Sequence, residues 1–154
     1  MSVATSRKIL AAATDSTIND KLNARLQRTE FMPFAPAILE ELAAEWFPTW
    51  RPQDVASQFM TMTYNVAPSL APLAPGIVHI DGTARPQVVN KSELPLLHNI
   101  ITSYYNRTGI PLVINTSFNM HEDPIICSPR DALKAYLQGA VDILVIEGIW
   151  VDRH

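Results

Sequence analysis

The chain has 154 residues, with 12 Lys plus Arg against 15 Asp plus Glu, a formal net charge of −3 and pI ≈ 5.7. With 47% hydrophobic and 18% charged residues it can bury a core, which excludes global disorder, and its acidic balance argues against a phosphate-neutralising nucleic-acid face. The lone cysteine, Cys127, excludes an internal disulfide and fits a reducing, cytoplasmic compartment, and no apolar run approaches the roughly 20 residues that a membrane helix needs.

In chain order, Thr14-Asp15-Ser16-Thr17 offers helix-capping side chains. Ile18, Leu22, Arg25 and Leu26 then recur at helical spacing and predict a helix that stops near Arg28, ahead of Pro33 and Pro36. Pro36 suits the first turn of a second helix, with Ile38, Leu39, Leu42, Ala43, Trp46 and Phe47 inward and Glu40, Glu41 and Glu45 outward. Alternation of Met60, Met62 and Tyr64 against Thr61 and Thr63 predicts a strand within 57–66 whose methionines are core. Pro68, Pro72 and Pro75 mark a stiff loop, and 77–81 reads as a short strand stopped by Gly82. Residues 86–90 form a further strand, and 93–105 an amphipathic helix with Leu97, Ile100, Ile101 and Tyr104 on one stripe. After Gly109, 111–115 is a buried strand. Ser128 caps a helix opened by Pro129 and closed by Gly139. Finally, 142–146 and 149–151 flank Glu147-Gly148 as a hairpin. The alternation of helices and strands predicts one α/β layer domain.

Three constellations carry chemistry. In His79-Ile80-Asp81-Gly82-Thr83-Ala84-Arg85, a strand places His79 and Asp81 on one face and Gly82 turns Arg85 round the strand end. A guanidinium there can fork onto a phosphate or carboxylate; equally, the string reads as a turn in which Asp81 binds its own backbone. Asn115-Thr116-Ser117-Phe118-Asn119 follows the buried strand, and its hydroxyls and amides suit a carbamoyl or carboxamide, or else satisfy their own loop. Arg25 and Arg28 are three apart and on a helix share a face, either as a cationic patch or as a solvated surface. Metal chemistry has little support, because His121, Glu122 and Asp123 are adjacent and cannot easily converge on one ion. Cys127 reads as a packed strand residue.

The order of these strings resembles the C-terminal domain of the O-carbamoyltransferases, the family of the nodulation-protein and antibiotic types. The resemblance runs from about Arg7 to Val151 and is carried by residues 28–36, by the HxDGTARxQ string at 79–87, by NTSFN at 115–119 and by 122–132. It implies a YrdC-like fold, a mixed twisted sheet with flanking helices, for which residues 1–154 would be the C-terminal domain with a Kae1-like N-terminal domain absent from the chain. It also implies that carbamoyl phosphate and ATP are used to form carbamoyl adenylate, with Mg possible on the phosphates. A separate Kae1-like partner would then pass the carbamoyl group to a hydroxyl acceptor.

By the same resemblance, Ser117 and Asn119 match an SxN pair, Arg28 the arginine of a KxR pair, and Arg85 an arginine expected to hold phosphate or carbamoyl oxygen. Arg85, Ser117 and Asn119 are thus the expected catalytic residues. Arg25, Arg28, His79, Asp81, Thr83, Asn115 and Thr116 are expected around substrate and nucleotide. Two positions depart from the pattern: Leu26 stands where the KxR lysine falls, and Met32 where an arginine often precedes the PFAP string. Arg25, Lys21 or Lys91 would have to restore that charge. The departures favour a second expectation, a non-catalytic ligand-binding or partner-docking module, and an apolar surface facing the missing domain could drive self-association.

Overall fold

The computed structural model describes residues 2–5, 7–28, 33–120 and 123–152. Two short segments that periodicity leaves unassigned, β1 (Ser2–Thr5) and β2 (Lys8–Ala11), pair antiparallel near the centre of the main sheet. Arg7 adopts a left-handed conformation, φ 62°, in the turn between them.

After α1 (Ile18–Arg25) come β3 (Ala35–Leu39) and α2 (Glu40–Trp46), so residues 35–39 are strand where a helix was expected. All five are buried, and a short apolar run is ambiguous between a buried strand and the start of a helix. Pro36 is tolerated because β3 pairs with its parallel neighbour only from Ala37 onward, so the missing N–H interrupts no ladder on that side.

The expected strand within 57–66 is also corrected. Trp50 Nε1 donates to Ser57 Oγ (2.9 Å), which donates to the Asp54 carbonyl (2.7 Å), and this holds 55–59 as a tight 3₁₀ turn. Only β4 (Tyr64–Asn65) is extended, paired with β5 (Thr83–Ala84) as a separate ribbon. Met62 is exposed and Met60 half-buried, so neither is core. Residues 77–81 are not a strand either: Pro75–Ile77 is a 3₁₀ turn, and the Gly82 amide donates to the His79 carbonyl (2.9 Å) to close a second turn.

The second half follows its sequence closely. It comprises β6 (Gln87–Val89), α3 (Pro95–Thr108), β7 (Leu112–Ser117), α4 (Pro129–Leu137), β8 (Ile143–Ile146) and β9 (Ile149–Asp152). Ser128 Oγ caps α4 through the Asp131 amide at 3.1 Å, and Glu147 and Gly148 both take positive φ in the β8–β9 turn, as that two-residue hairpin requires. Cys127, expected on a packed strand, is exposed before α4.

The seven strands run in the order β6-β3-β7-β2-β1-β8-β9, a mixed sheet with parallel β3–β6 and β1–β8 pairs and antiparallel neighbours elsewhere. Alternation divides the core. Leu10, Ala37, Leu39, Val89 and Val113 pack with Leu97 and Ile101 of α3 on one face. Ile9, Ile38, Ile114 and Leu112 join Leu22, Trp46 and Tyr136 in the larger core on the other. The architecture is the expected one, a mixed α/β sheet with flanking helices.

One clip ties the first strand to α1 and to the approach to β8. Asp142 accepts from the Ser2 amide at 2.7 Å through one oxygen and from Arg25 Nη1 at 2.7 Å through the other. Burial raises the Asp142 pKa, but the Ser2 amide and Arg25 outweigh it and hold the carboxyl below its ordinary range. A depressed carboxylate pKa contributes stability above the unfolded value, about pH 4, which is lost as pH falls through the folded value. Asp142→Asn should therefore cost about 1 kcal/mol near neutrality, modest because both partners are partly exposed. It should also flatten the acid limb of a Tm-against-pH curve; an unchanged acid limb would remove this assignment.

Candidate functional site

The three strings meet at one end of β3 and β7. The expected strand 111–115 runs on through Thr116 and Ser117, so Asn115, Thr116 and Ser117 are the last three residues of β7 and their side chains alternate between the sheet faces. Thr116 Oγ1 accepts from Arg28 Nη2 at 3.3 Å, and the Arg28 guanidinium lies 5.1 Å from the centre of the Phe34 ring. Burial lowers the Arg28 pKa, yet guanidinium stays protonated in proteins, so this is a half-buried fixed positive charge.

Asn115 is 2% exposed, and its Nδ2 donates to Gln87 Oε1 at 2.6 Å. That bond ties the NTSFN string to the end of the HxDGTARxQ string across β3. Asn115 Oδ1 is buried with no hydrogen bond. A buried carbonyl without a donor costs free energy, about 1–3 kcal/mol, so this acceptor is suited to a ligand N–H. Ser117 Oγ donates to Asn119 Oδ1 at 2.5 Å, and Asn119 Nδ2 donates to the Met120 and Asp123 carbonyls, both at 3.1 Å. Asn119 is therefore occupied in shaping its loop, whereas Ser117 keeps lone pairs free to accept.

Arg85 lies two residues before Gln87. Extending the β3–β6 register back from Ala37–Gln87 sets Arg85 level with Ala35, which pairs with Asn115 on its other side. Its guanidinium has no hydrogen bond or ion pair among the described residues, and it is half-buried. Its charge reaches His79, whose pKa is lowered, first by burial and further by Arg85, against a rise from Asp81.

The turn reading of the first string holds in the geometry. Asp81 Oδ1 accepts from the Thr83 amide at 3.0 Å and the Thr83 hydroxyl at 2.7 Å, which lower its pKa. His79 Nδ1 lies 3.0 Å from the same hydroxyl. Because that hydroxyl gives its proton to Asp81, it accepts from Nδ1–H, which leaves Nε2 of the neutral ring as an acceptor. His79, Asp81 and Thr83 thus brace the turn that carries Arg85.

Arg25 and Arg28 do not share a face. The helix ends at Arg25, Gln27 turns the chain with φ 57°, and Arg25 is directed to Asp142 instead. Lys21 pairs with Asp15 at 2.6 Å, and Lys91 is exposed after β6, at the end of that strand away from Arg85. Leu26 is fully buried. Lys8, in contrast, pairs across β2–β7 with Ser117. Its sequence signal was faint, a single lysine at the head of an apolar run. The string 29–32, including Met32, and His121 and Glu122 of the metal reading lie outside the described residues.

A groove of about 890 Å³ opens on the sheet, and Phe118 of the NTSFN string is among the residues lining it. It is apolar, with Val3, Leu10, Val113, Val145 and Trp150 from the strands and Leu96, Ile100 and Tyr104 from α3. Arg28, Arg85, Ser117 and Asn119 are not among the residues lining it. No helix among the described residues is long and apolar enough to cross a membrane.

Fold and strand-end chemistry define an α/β domain that gathers guanidinium, amide and hydroxyl groups at one end of the strands of a mixed sheet. Residues 4–153 match the family model described as Carbamoyltransferase C-terminus, and the chain belongs to that family. It is 37% identical to the nodulation protein NolNO of Sinorhizobium fredii and 35% identical to the nodulation protein NolO of Bradyrhizobium diazoefficiens. It is also 35% identical to an uncharacterized protein of Methanocaldococcus jannaschii. Each match covers 96% of this chain but only 22%, 27% and 28% of the respective relative. The chain thus spans about a quarter of the length of those relatives.

Proposed function

We propose that this domain binds carbamoyl phosphate and ATP and serves in forming carbamoyl adenylate for transfer to a hydroxyl acceptor, together with a separate Kae1-like partner. The observation that carries the reading is the pairing, at one strand end, of a buried amide acceptor with an unneutralised cation: Asn115 Oδ1 without a donor, and Arg85 without an anion among the described residues. A carbamoyl group presents an NH₂ to the first, and its phosphate presents oxygens to the second.

In this reading the protein positions and stabilises rather than forming covalent bonds. Phosphate is lost from carbamoyl phosphate to water, leaving carbamate. A carbamate oxygen then attacks the α-phosphorus of ATP as pyrophosphate departs, and the acceptor hydroxyl finally attacks the carbamoyl carbon as AMP leaves and the hydroxyl proton passes to solvent. Arg85 and Arg28 offset charge on the phosphates, while Asn115 and Ser117 accept from the carbamoyl NH₂. Magnesium would be carried on the oxygens of the ATP phosphates, where it would offset their charge.

The fully buried Leu26 at the lysine position supports a second reading, a module that binds the ligand without turnover. Calorimetry with carbamoyl phosphate and ATP, followed by mass-spectrometric detection of carbamoyl adenylate with and without a Kae1-like partner, separates the two. Binding with adenylate formation is the expected result. Binding without product in either mixture leaves the module reading, and no binding at all rejects both.

A further inference from the structure

The β2–β7 register sets Lys8 directly across from Ser117 and Leu10 directly across from Asn115. Directly paired residues point to the same face with Cβ atoms roughly 4.5–5.5 Å apart, so Lys8, Ser117 and Asn115 form one cluster at the strand ends. Lys8 is half-buried, yet its ammonium has no hydrogen bond or ion pair among the described residues. Desolvation lowers its pKa, the signature of a charge that has lost water and gained no counter-ion.

An amine withdrawn from water in this way is costly unless something anionic completes it. No protein carboxylate does so among the described residues. Two further observations point to an external group: the neighbouring Asn115 carbonyl is orphaned, and Ser117 Oγ still has acceptor capacity after donating to Asn119. Of the other cations, Arg25 is committed to Asp142 and Lys21 to Asp15, whereas Arg85 lies on the far side of Asn115, across β3.

We propose that Lys8 is a ligand-binding residue of the Ser117 side of the site, its ammonium holding a phosphoryl oxygen of carbamoyl phosphate. The assignment rests on the function proposed above. Lys8 and Arg28 then act from opposite faces at the end of β7, because Ser117 and Thr116, which they neighbour, alternate across the sheet.

The test uses the full chain with carbamoyl phosphate and inorganic phosphate as probes. Lys8→Met should weaken carbamoyl phosphate binding at least about tenfold in calorimetry, and Lys8→Arg should hold it within about threefold, with Tm of both near the parent value. In the unmodified protein, saturating carbamoyl phosphate should protect Lys8 from an amine-acylating reagent mapped by mass spectrometry, a readout that needs no variant. Full binding by Lys8→Met, or unprotected Lys8 in a protein that binds, overturns the assignment and leaves the proposed function standing. Absence of binding by the parent chain overturns the proposed function and the role of Lys8 with it.

Discussion

Arg85→Ala should weaken carbamoyl phosphate binding by about 100-fold and move Tm by no more than about 2 °C. The two halves of that expectation have one cause. The guanidinium makes no hydrogen bond or ion pair among the described residues, so folding does not depend on it, while its half-buried position beside His79 keeps it in place for an incoming anion. Two charge-assisted hydrogen bonds lost together, at about 1.5–3 kcal/mol each before compensation, give a factor of this size. Arg85→Lys should recover only part of it, since an ammonium is a point charge and cannot fork. The turn supports this geometry: Asp81 gathers the Thr83 amide and hydroxyl, and that hydroxyl lies 3.0 Å from His79. Unchanged affinity in Arg85→Ala would remove Arg85 from the site.

What the sequence made legible depended on whether a segment's local signals agreed with its tertiary neighbours. The helix ending near Thr108, the strand around Val113, the Ser128 cap and the Glu147-Gly148 turn all rest on local chemistry that nothing in the fold opposes. Residues 35–39 failed because helix-compatible spacing in a short apolar run is equally a strand buried between two others. The alternation at 57–64 failed for the opposite reason: Trp50 captures Ser57, and no partner strand is available until Tyr64.

For the site, the residue types were legible and their directions were not. The arginine pair looked like one patch because helical spacing was extended past Arg25, whereas Gln27 at φ 57° sends Arg28 towards Thr116. Lys8 was unreadable as a neighbour of Ser117, since 109 residues separate them and only the β2–β7 register joins them. Strand pairing over such distances leaves no periodic trace in the chain.

The pairing of Asn115 with Gln87 separates stability from function. Asn115→Val removes the orphaned carbonyl but strands the Gln87 side chain, itself only 7% exposed, so the single variant should be destabilised by about 1–3 kcal/mol. Adding Gln87→Leu removes the second polar group, and the double variant should return to within about 1 kcal/mol of the parent or exceed it, because an apolar pair of similar shape leaves nothing unsatisfied. Binding should not follow stability. Both variants lose the acceptor offered to the carbamoyl NH₂, and each should bind carbamoyl phosphate at least about tenfold more weakly while inorganic phosphate binding stays near the parent level. Urea unfolding and calorimetry on the same three proteins decide the matter. A double variant that regains both stability and carbamoyl phosphate affinity would make the buried amide a packing residue and remove it from carbamoyl recognition.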